Sequence, residues 1–422
     1  MSIFNKNKAY IFTIIAVIVI VGLISWAGYS LIKPTHKELP KNNQKVPSQP
    51  PSQPPSQPPS QPSEVPKRPV LGIKDKIFFS PHSFRDRNLY MTDKFGRSKT
   101  RLTDYPEAIG HGYMPNLQGI QVIDDEYLGY FRCDTQPGNF NCRIYRVSIN
   151  SKNPEELHIA GKEILIEKIA FADKDTFSYC AGFYGDQENY GKVYLYREGK
   201  LREIYKVNYE GTEISCSELS FSPNDKSILL GYGFKGWTNN IHIIDINGNK
   251  LAEIAPARHA KWMDNNTIYF FRENWVDKTT TISEIYSFDI LSKSEKKYCE
   301  IIGRIYDPKF SSDFQKVVYW KYNPQKENDK GTVWLLDLSS CKSEKLLDNA
   351  SHPLWISPEE ILVSDNLAIF RAPYPASMLV FNVLNRKKYE LFKKGDMESA
   401  WYTFISPLVG GGSCSYFFGE KF

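Results

Sequence analysis

Beyond about residue 75 the chain is written in short runs where apolar and polar positions alternate, and the pattern recurs every 40–50 residues or so. Ser217 to Ala257 is the clearest copy. Leu219-Ser220-Phe221 alternates with period two, the pattern of a half-buried strand. Ser222-Pro223-Asn224-Asp225 follows as a turn, because Pro presets φ and Asn and Asp bond their own backbone. Ser227 to Phe234 and Ile241 to Ile246 read as the next two strands. Asn247-Gly248-Asn249 is a tight hairpin turn, and Leu251 to Ile254 is the fourth strand. We call the four strands A, B, C and D.

The rhythm repeats along the chain. B strands are expected to begin near Ile77, Tyr127, Thr176, Ser227, Thr267, Lys316 and Ile361. C strands follow at Leu89–Met91, Ile144–Val147, Val193–Leu195, Ile241–Ile244, Ile285–Phe288, Val333–Leu336 and Met378–Phe381. Four-stranded units at this spacing predict an all-β protein, a β-propeller of seven four-stranded blades, with six or eight left open by Ser413 to Phe422. Ala400 to Phe404 reads as a further A strand that completes the first blade by joining the two ends, which removes an open sheet edge.

The N-terminal region has a different pattern. Ala9 to Ile32 carries no charge, and its 24 residues suffice to cross a hydrocarbon core of about 30 Å. Pro34 to Pro69 contains twelve prolines and repeats SQPP from Ser48, a composition that favours extended polyproline II over any core. The expected organisation is a cytoplasmic head at 1–8, a transmembrane helix at 9–32, a Pro-rich linker at 33–69 and a propeller at 70–422. The short head, the stalk-like linker and the cysteines beyond the span place the propeller on the extracytoplasmic side. The lysines flanking the span taken alone favour the opposite orientation.

Charge narrows the partner class. The chain's +5 resides in its N-terminal region, where residues 1–68 hold eight of the 53 Lys/Arg and two of the 48 Asp/Glu. The remaining 45 basic and 46 acidic residues leave the domain near neutrality, against a nucleic-acid-binding role. Cys133 and Cys142 flank a Pro137-Gly138 turn and are expected to form a cross-hairpin disulfide, which implies an oxidising compartment. Cys180 and Cys216 would lie at one face and form a possible second bridge. Cys299 and Cys341 are expected at opposite faces and unpaired.

Phe221-Ser222-Pro223-Asn224-Asp225, Trp355-Ile356-Ser357-Pro358-Glu359 and Phe310-Ser311-Ser312-Asp313 resemble the aromatic-Ser-Pro-Asp-Gly hairpin of TolB-like propeller repeats. Leu89 to Gly96, closing with Arg101-Leu102-Thr103, is similar to the second half of that repeat. The turn glycine is absent from every copy. The resemblance implies a fold, not a function; such domains serve as scaffolds for protein contacts or as gates of prolyl oligopeptidase-like enzymes.

The A–B and C–D turns are short, whereas the B–C connections are long and aromatic. Binding residues concentrate on such loops, so the candidate ligand-binding residues are Phe183, Tyr184, Tyr190, Trp237, Trp275, Tyr322, Phe370 and Tyr374. Trp262, Trp355 and Trp401 fall on A strands and are expected to pack between blades. His111, His242, His259 and His352 have no metal-ligand spacing, and no cofactor motif is present. No residues remain for an α/β-hydrolase domain. Carboxylates on or beside A strands (Glu167, Glu218, Asp264, Asp307 and Glu398) leave open a glycosidase-like alternative. The expected function is a non-enzymatic binding or scaffold module for an envelope protein, peptide or glycan. The alternative is a propeller hydrolase acting on cell-envelope polysaccharide with carboxylates in its axial channel.

Overall fold

The structure is a computed structural model. It describes residues 76–405, apart from 82–87, 106–116, 137–138, 152, 162, 184–189, 209–213, 235–237, 277–280, 323–330, 365–376 and 393–401. The apolar stretch 9–32 and the Pro-rich stretch 33–69 lie outside the described residues. No helix among those described is long and apolar enough to cross a membrane.

The described chain is all-β and takes a propeller arrangement. Five of the sheets are four-stranded antiparallel meanders. The unit singled out above folds as Ile214–Phe221, Ser227–Phe234, Thr238–Asp245 and Lys250–Ile254, in that spatial order. Five of the seven expected B strands begin where the pattern places them, and the other two, expected at Ile77 and Ile361, begin one residue earlier at Lys76 and Glu360. The C strands contain the expected residues apart from Leu89, which precedes Tyr90–Asp93. The A strand expected near the C-terminus is present as Tyr402–Ile405. It pairs antiparallel with Lys76–Pro81, with Phe79 opposite Phe404, so the last strand completes the first sheet.

The remaining eight strands do not separate into two sheets. Leu117–Val122, Tyr127–Gln136, Asn139–Ser148 and Glu155–Ile159 form one meander. Glu163–Asp173 onward forms another, and the two are joined by a short parallel pairing of Phe140 and Asn141 with Glu163 and Ile164. The cause is a mismatch of lengths. The C strand has ten residues but its D strand only five, pairing Arg143 to Arg146 and leaving the start of the C strand for the next chain segment to cover.

Burial grades across each sheet. In the sheet containing Lys316–Lys321, the central strand positions Val317 to Trp320 are buried, whereas Lys342–Asp348 on the D edge is largely exposed. The A strands contact one another around the inside: Leu117–Val122 meets Glu163–Asp173, which meets Ile214–Phe221, which meets Arg258–Trp262. The apolar clusters lie in the seams between sheets. Leu229 and Ile243 pack with Trp262 and Phe270; Phe271 and Ile285 pack with Phe310 and Val317. Trp355 and Leu362 share a cluster with both Trp320 and Phe79, which closes the ring onto the first sheet. Burial of these faces is the main favourable contribution to the fold.

Candidate functional site in the axial channel

Every A strand from Leu117–Val122 to Ser351–Trp355 carries an irregularity where it pairs with its B strand. In four of them the residue that opens the bulge stands at positive φ: Gly119 at 59°, His259 at 50°, Asp307 at 47° and His352 at 52°. A bulge of this kind re-aims a side chain and leaves backbone N–H groups out of the ladder. At two of the bulges an acid from the preceding sheet satisfies such a group. Glu218 accepts the N–H of Ala260 at 2.7 Å, and Glu167 accepts that of Cys216 at 2.5 Å. Glycine on the B strand makes room for this: a Cβ at Gly182 would lie 2.9 Å from the Glu167 Oε1, and one at Gly231 would lie 2.9 Å from the Glu218 Cβ.

The same strands bring cations and histidines to the inside. Asp307 is paired with Lys309 at 2.7 Å. Lys261 lies 5.6 Å from the centre of the Phe314 ring. Lys168, Glu218, Lys261, Asp307 and Lys309 are half-buried and His259 is exposed, although all sit on the innermost strands of the ring. Accessible side chains there face an axial channel.

Confinement sets their protonation. Burial pushes Glu167 and Glu218 up to about 7, against the lowering effect of their backbone hydrogen bonds and Lys168. Enclosure of the ring among the inner strands, with Lys309 nearby, pushes His259 down to about 4 although part of the residue stays open to solvent, and the buried His352 falls likewise; Asp307 opposes the fall in both. Lys261 falls to about 8, again through burial first and Lys309 second. Asp307 is pushed up by burial, but Lys309, His352 and His259 outweigh this and hold it below the usual carboxylate range. Desolvation and neighbouring charge are the two causes at work throughout.

Of the sequence-predicted carboxylates, Glu167, Glu218 and Asp307 are on inner strands as expected. Asp264 is not a channel group: its Oδ1 caps the A–B turn, accepting the N–H groups of Asn266 and Thr267 at 2.8 Å each. Glu398 lies outside the described residues. Sequence reasoning missed Lys261 and Lys309 and undervalued His259 and His352. The signal was available, since each stands one or three residues before the aromatic that closes its A strand, as Glu218 stands before Phe221.

Of the predicted loop aromatics, the structure describes the side chains of Trp275 and Tyr322. Trp275 ends the strand Thr267–Trp275 at 51% exposed, with Val276 at 62% beside it. Tyr322 follows Lys316–Lys321 and is half-buried, its ring 6.0 Å from Trp320 and 6.4 Å from Tyr306. Phe183 is the last residue of one strand and Tyr190 the first of the next. Tyr184, Trp237, Phe370 and Tyr374 lie outside the described residues. The connection expected from Phe271 to Ile282 is largely hairpin, with Arg272 opposite Glu284 and Trp275 opposite Thr281. Its polar residues hid the strands from an apolar pattern. Glu273 on this hairpin pairs with Arg258 of its own sheet's inner strand at 3.2 Å and with Arg304, just before the next inner strand, at 3.6 Å.

Cys133 and Cys142 are directly opposed and disulfide-bonded, as expected. Cys299 and Cys341 are also bonded, against expectation. The D strand continues to Ile302, so Cys299 lies within it, where the next sheet's C–D turn reaches across the seam. Cys180 and Cys216 are buried free thiols. His242 is no ligand but a network residue, between the hydroxyls of Tyr205 and Tyr232.

No protein-family model matches the chain, and no curated protein matches it. Solved structures do. An oligogalacturonate lyase in complex with manganese superposes with a TM-score of 0.52 at 13% identity, over 66% of this chain and 80% of the other. An oligogalacturonate lyase from Vibrio parahaemolyticus gives 0.49 at 11% identity, over 75% and 90%. TolB from Acinetobacter baumannii gives 0.41 at 14% identity, over 75% and 77%. The resemblance is at the level of structure, and the first of these supports the propeller fold alone. Among the described residues no three His, Cys, Asp or Glu side chains are grouped to hold a metal ion.

Proposed function

We propose that this chain is a membrane-anchored, extracytoplasmic propeller of seven blades, the eight-stranded sheet counting as two. It acts as a binding or scaffold module for an envelope protein, peptide or glycan, without chemistry of its own. The observation that carries this reading is the engagement of the inner carboxylates: Glu167 and Glu218 are taken up by bulge N–H groups and Asp307 by Lys309. A glycosidase needs two carboxyl groups free to face a sugar and a water. Trp275 and Val276, by contrast, stand exposed at the B–C end, where an aromatic anchor can be buried by a partner. The test is photo-crosslinking of the full-length protein in its native membrane through position 276. A discrete partner should be recovered with the wild type and lost in the folded Trp275→Ala variant. Recovery unchanged by Trp275→Ala and by Trp237→Ala would remove this face from consideration.

The hydrolase reading keeps one observation in its favour. Glu167 and Glu218, pushed to about 7, are poised where a general acid or base works best. Depolymerisation of envelope polysaccharide by the purified protein, abolished in Glu218→Gln, would establish it.

A further inference from the structure

We propose that the axial channel seats a small anionic ligand, a carboxylate or a phosphate, on Lys168, Lys261 and Lys309. The inference is independent of the partner-binding face. It starts from placement. Lys261 and Lys309 are each the residue before the closing aromatic, Trp262 and Phe310, on inner strands that follow one another in the ring. Lys168 lies on Glu163–Asp173, the inner strand that precedes Ile214–Phe221, and it and Lys309 both act electrostatically on the Glu218 carboxyl. All three residues are half-buried on these inner strands rather than fully buried.

The second step is the absence of counter-charge. Lys309 has Asp307 at 2.7 Å. Neither Lys168 nor Lys261 forms an ion pair among the described residues. The acids that could have served are spent on the backbone: Glu218 on Ala260 and Glu167 on Cys216. Lys261 has only the face of the Phe314 ring, 5.6 Å from its ammonium, and an ammonium taken from water without a counter-charge is unfavourable. The depression of Lys261 through burial and Lys309 is the electrostatic signature of that crowding, and an anion would relieve it. His259 and His352, neutral near pH 7, add ring nitrogens to the same wall without adding charge. Ammonium groups converging on an enclosed, wet space recognise oxyanions through charge-assisted hydrogen bonds.

The probes are citrate and inorganic phosphate, titrated calorimetrically into the full-length protein in detergent at pH 7. Saturable binding by either is expected. It should weaken at least tenfold in Lys261→Gln and in Lys168→Gln, while Lys200→Gln on an exposed D strand leaves it unchanged. Binding of citrate alone assigns a carboxylate ligand, and binding of phosphate alone a phosphate. Each variant's thermal transition reports that it is folded, and Lys261→Gln should not melt earlier, because it removes a desolvated charge. Absence of saturable binding with both probes overturns the proposal. So does binding that survives both channel substitutions, or that Lys200→Gln weakens equally.

Discussion

Trp355 donates its indole N–H to the carbonyl oxygen of Lys309, 3.0 Å away on the inner strand of the preceding sheet. Trp262 does the same to Ser220 at 3.3 Å. Both indoles close an A strand, and both reach back to the residue before the preceding sheet's closing aromatic. The ring is therefore stapled by hydrogen bonds as well as by apolar seams. Trp355→Phe keeps most of the packing and loses the bond, about 1 kcal/mol. Trp355→Ala also opens a cavity and should cost roughly 3–5 kcal/mol. Urea unfolding of the two variants separates these contributions; a Trp355→Phe protein as stable as the wild type would mean that the bond contributes nothing, and equal losses in the two variants that the cavity does not.

The strand rhythm was legible because alternation and turn chemistry are local. Even the missing turn glycines have a local account. In Phe221-Ser222-Pro223-Asn224-Asp225 the place of the glycine is held by Asp225 at φ 57°, and in the copy from Phe310 by Phe314 at φ 55°. In both, the serine makes the turn: Ser222 Oγ donates to Asn224 and accepts the N–H of Ser227, and Ser311 Oγ is matched with Asp313 and Lys316. The channel was only half legible. Its acids stand out in a sequence, but whether an acid such as Glu218 is free or spent depends on the next sheet's bulge, more than 40 residues on. The Cys299–Cys341 bridge was missed for the same reason, since it crosses a seam whose offset no single repeat contains.

That bridge closes a loop with a sequence separation of 42, against 9 for Cys133–Cys142. If constraint of the unfolded chain dominates, its removal costs about 4 kcal/mol and that of the shorter loop about 2.5 kcal/mol. The Cys299→Ser/Cys341→Ser protein should therefore unfold at lower urea than Cys133→Ser/Cys142→Ser. The reverse order would place the main effect in the folded state.

Cys180 and Cys216 face one another within hydrogen-bonding reach in the seam between two sheets. Their contact and their burial push the Cys180 thiol up, and the thiolate is the form that reacts. Iodoacetamide at neutral pH should leave both unmodified in the folded protein and label both after denaturation, as read by peptide mass spectrometry. Labelling of either in the native protein would mean that this seam opens.

The channel's acids and histidines oppose one another in their effect on stability. Glu167 and Glu218, raised from 4.5 to about 7, hold protons in the folded state that the unfolded chain has released. Each thus lowers stability as pH climbs from 4.5 to 7. His259 and His352, lowered from 6.5 to about 4, do the reverse: the unfolded chain binds protons that the folded one refuses, so stability rises from pH 4 to 6.5. The wild type should therefore show a shallow dependence between pH 4.5 and 6.5. Glu218→Gln keeps an oxygen for the Ala260 N–H but removes one falling contribution. Its stability should rise more steeply across that window, and above pH 7 it should gain on the wild type, which must bury the charged carboxylate. Urea midpoints at pH 5, 6, 7 and 8 decide it. Parallel profiles would show that Glu218 titrates as an ordinary carboxylate, and would take from the hydrolase reading the one observation that favours it.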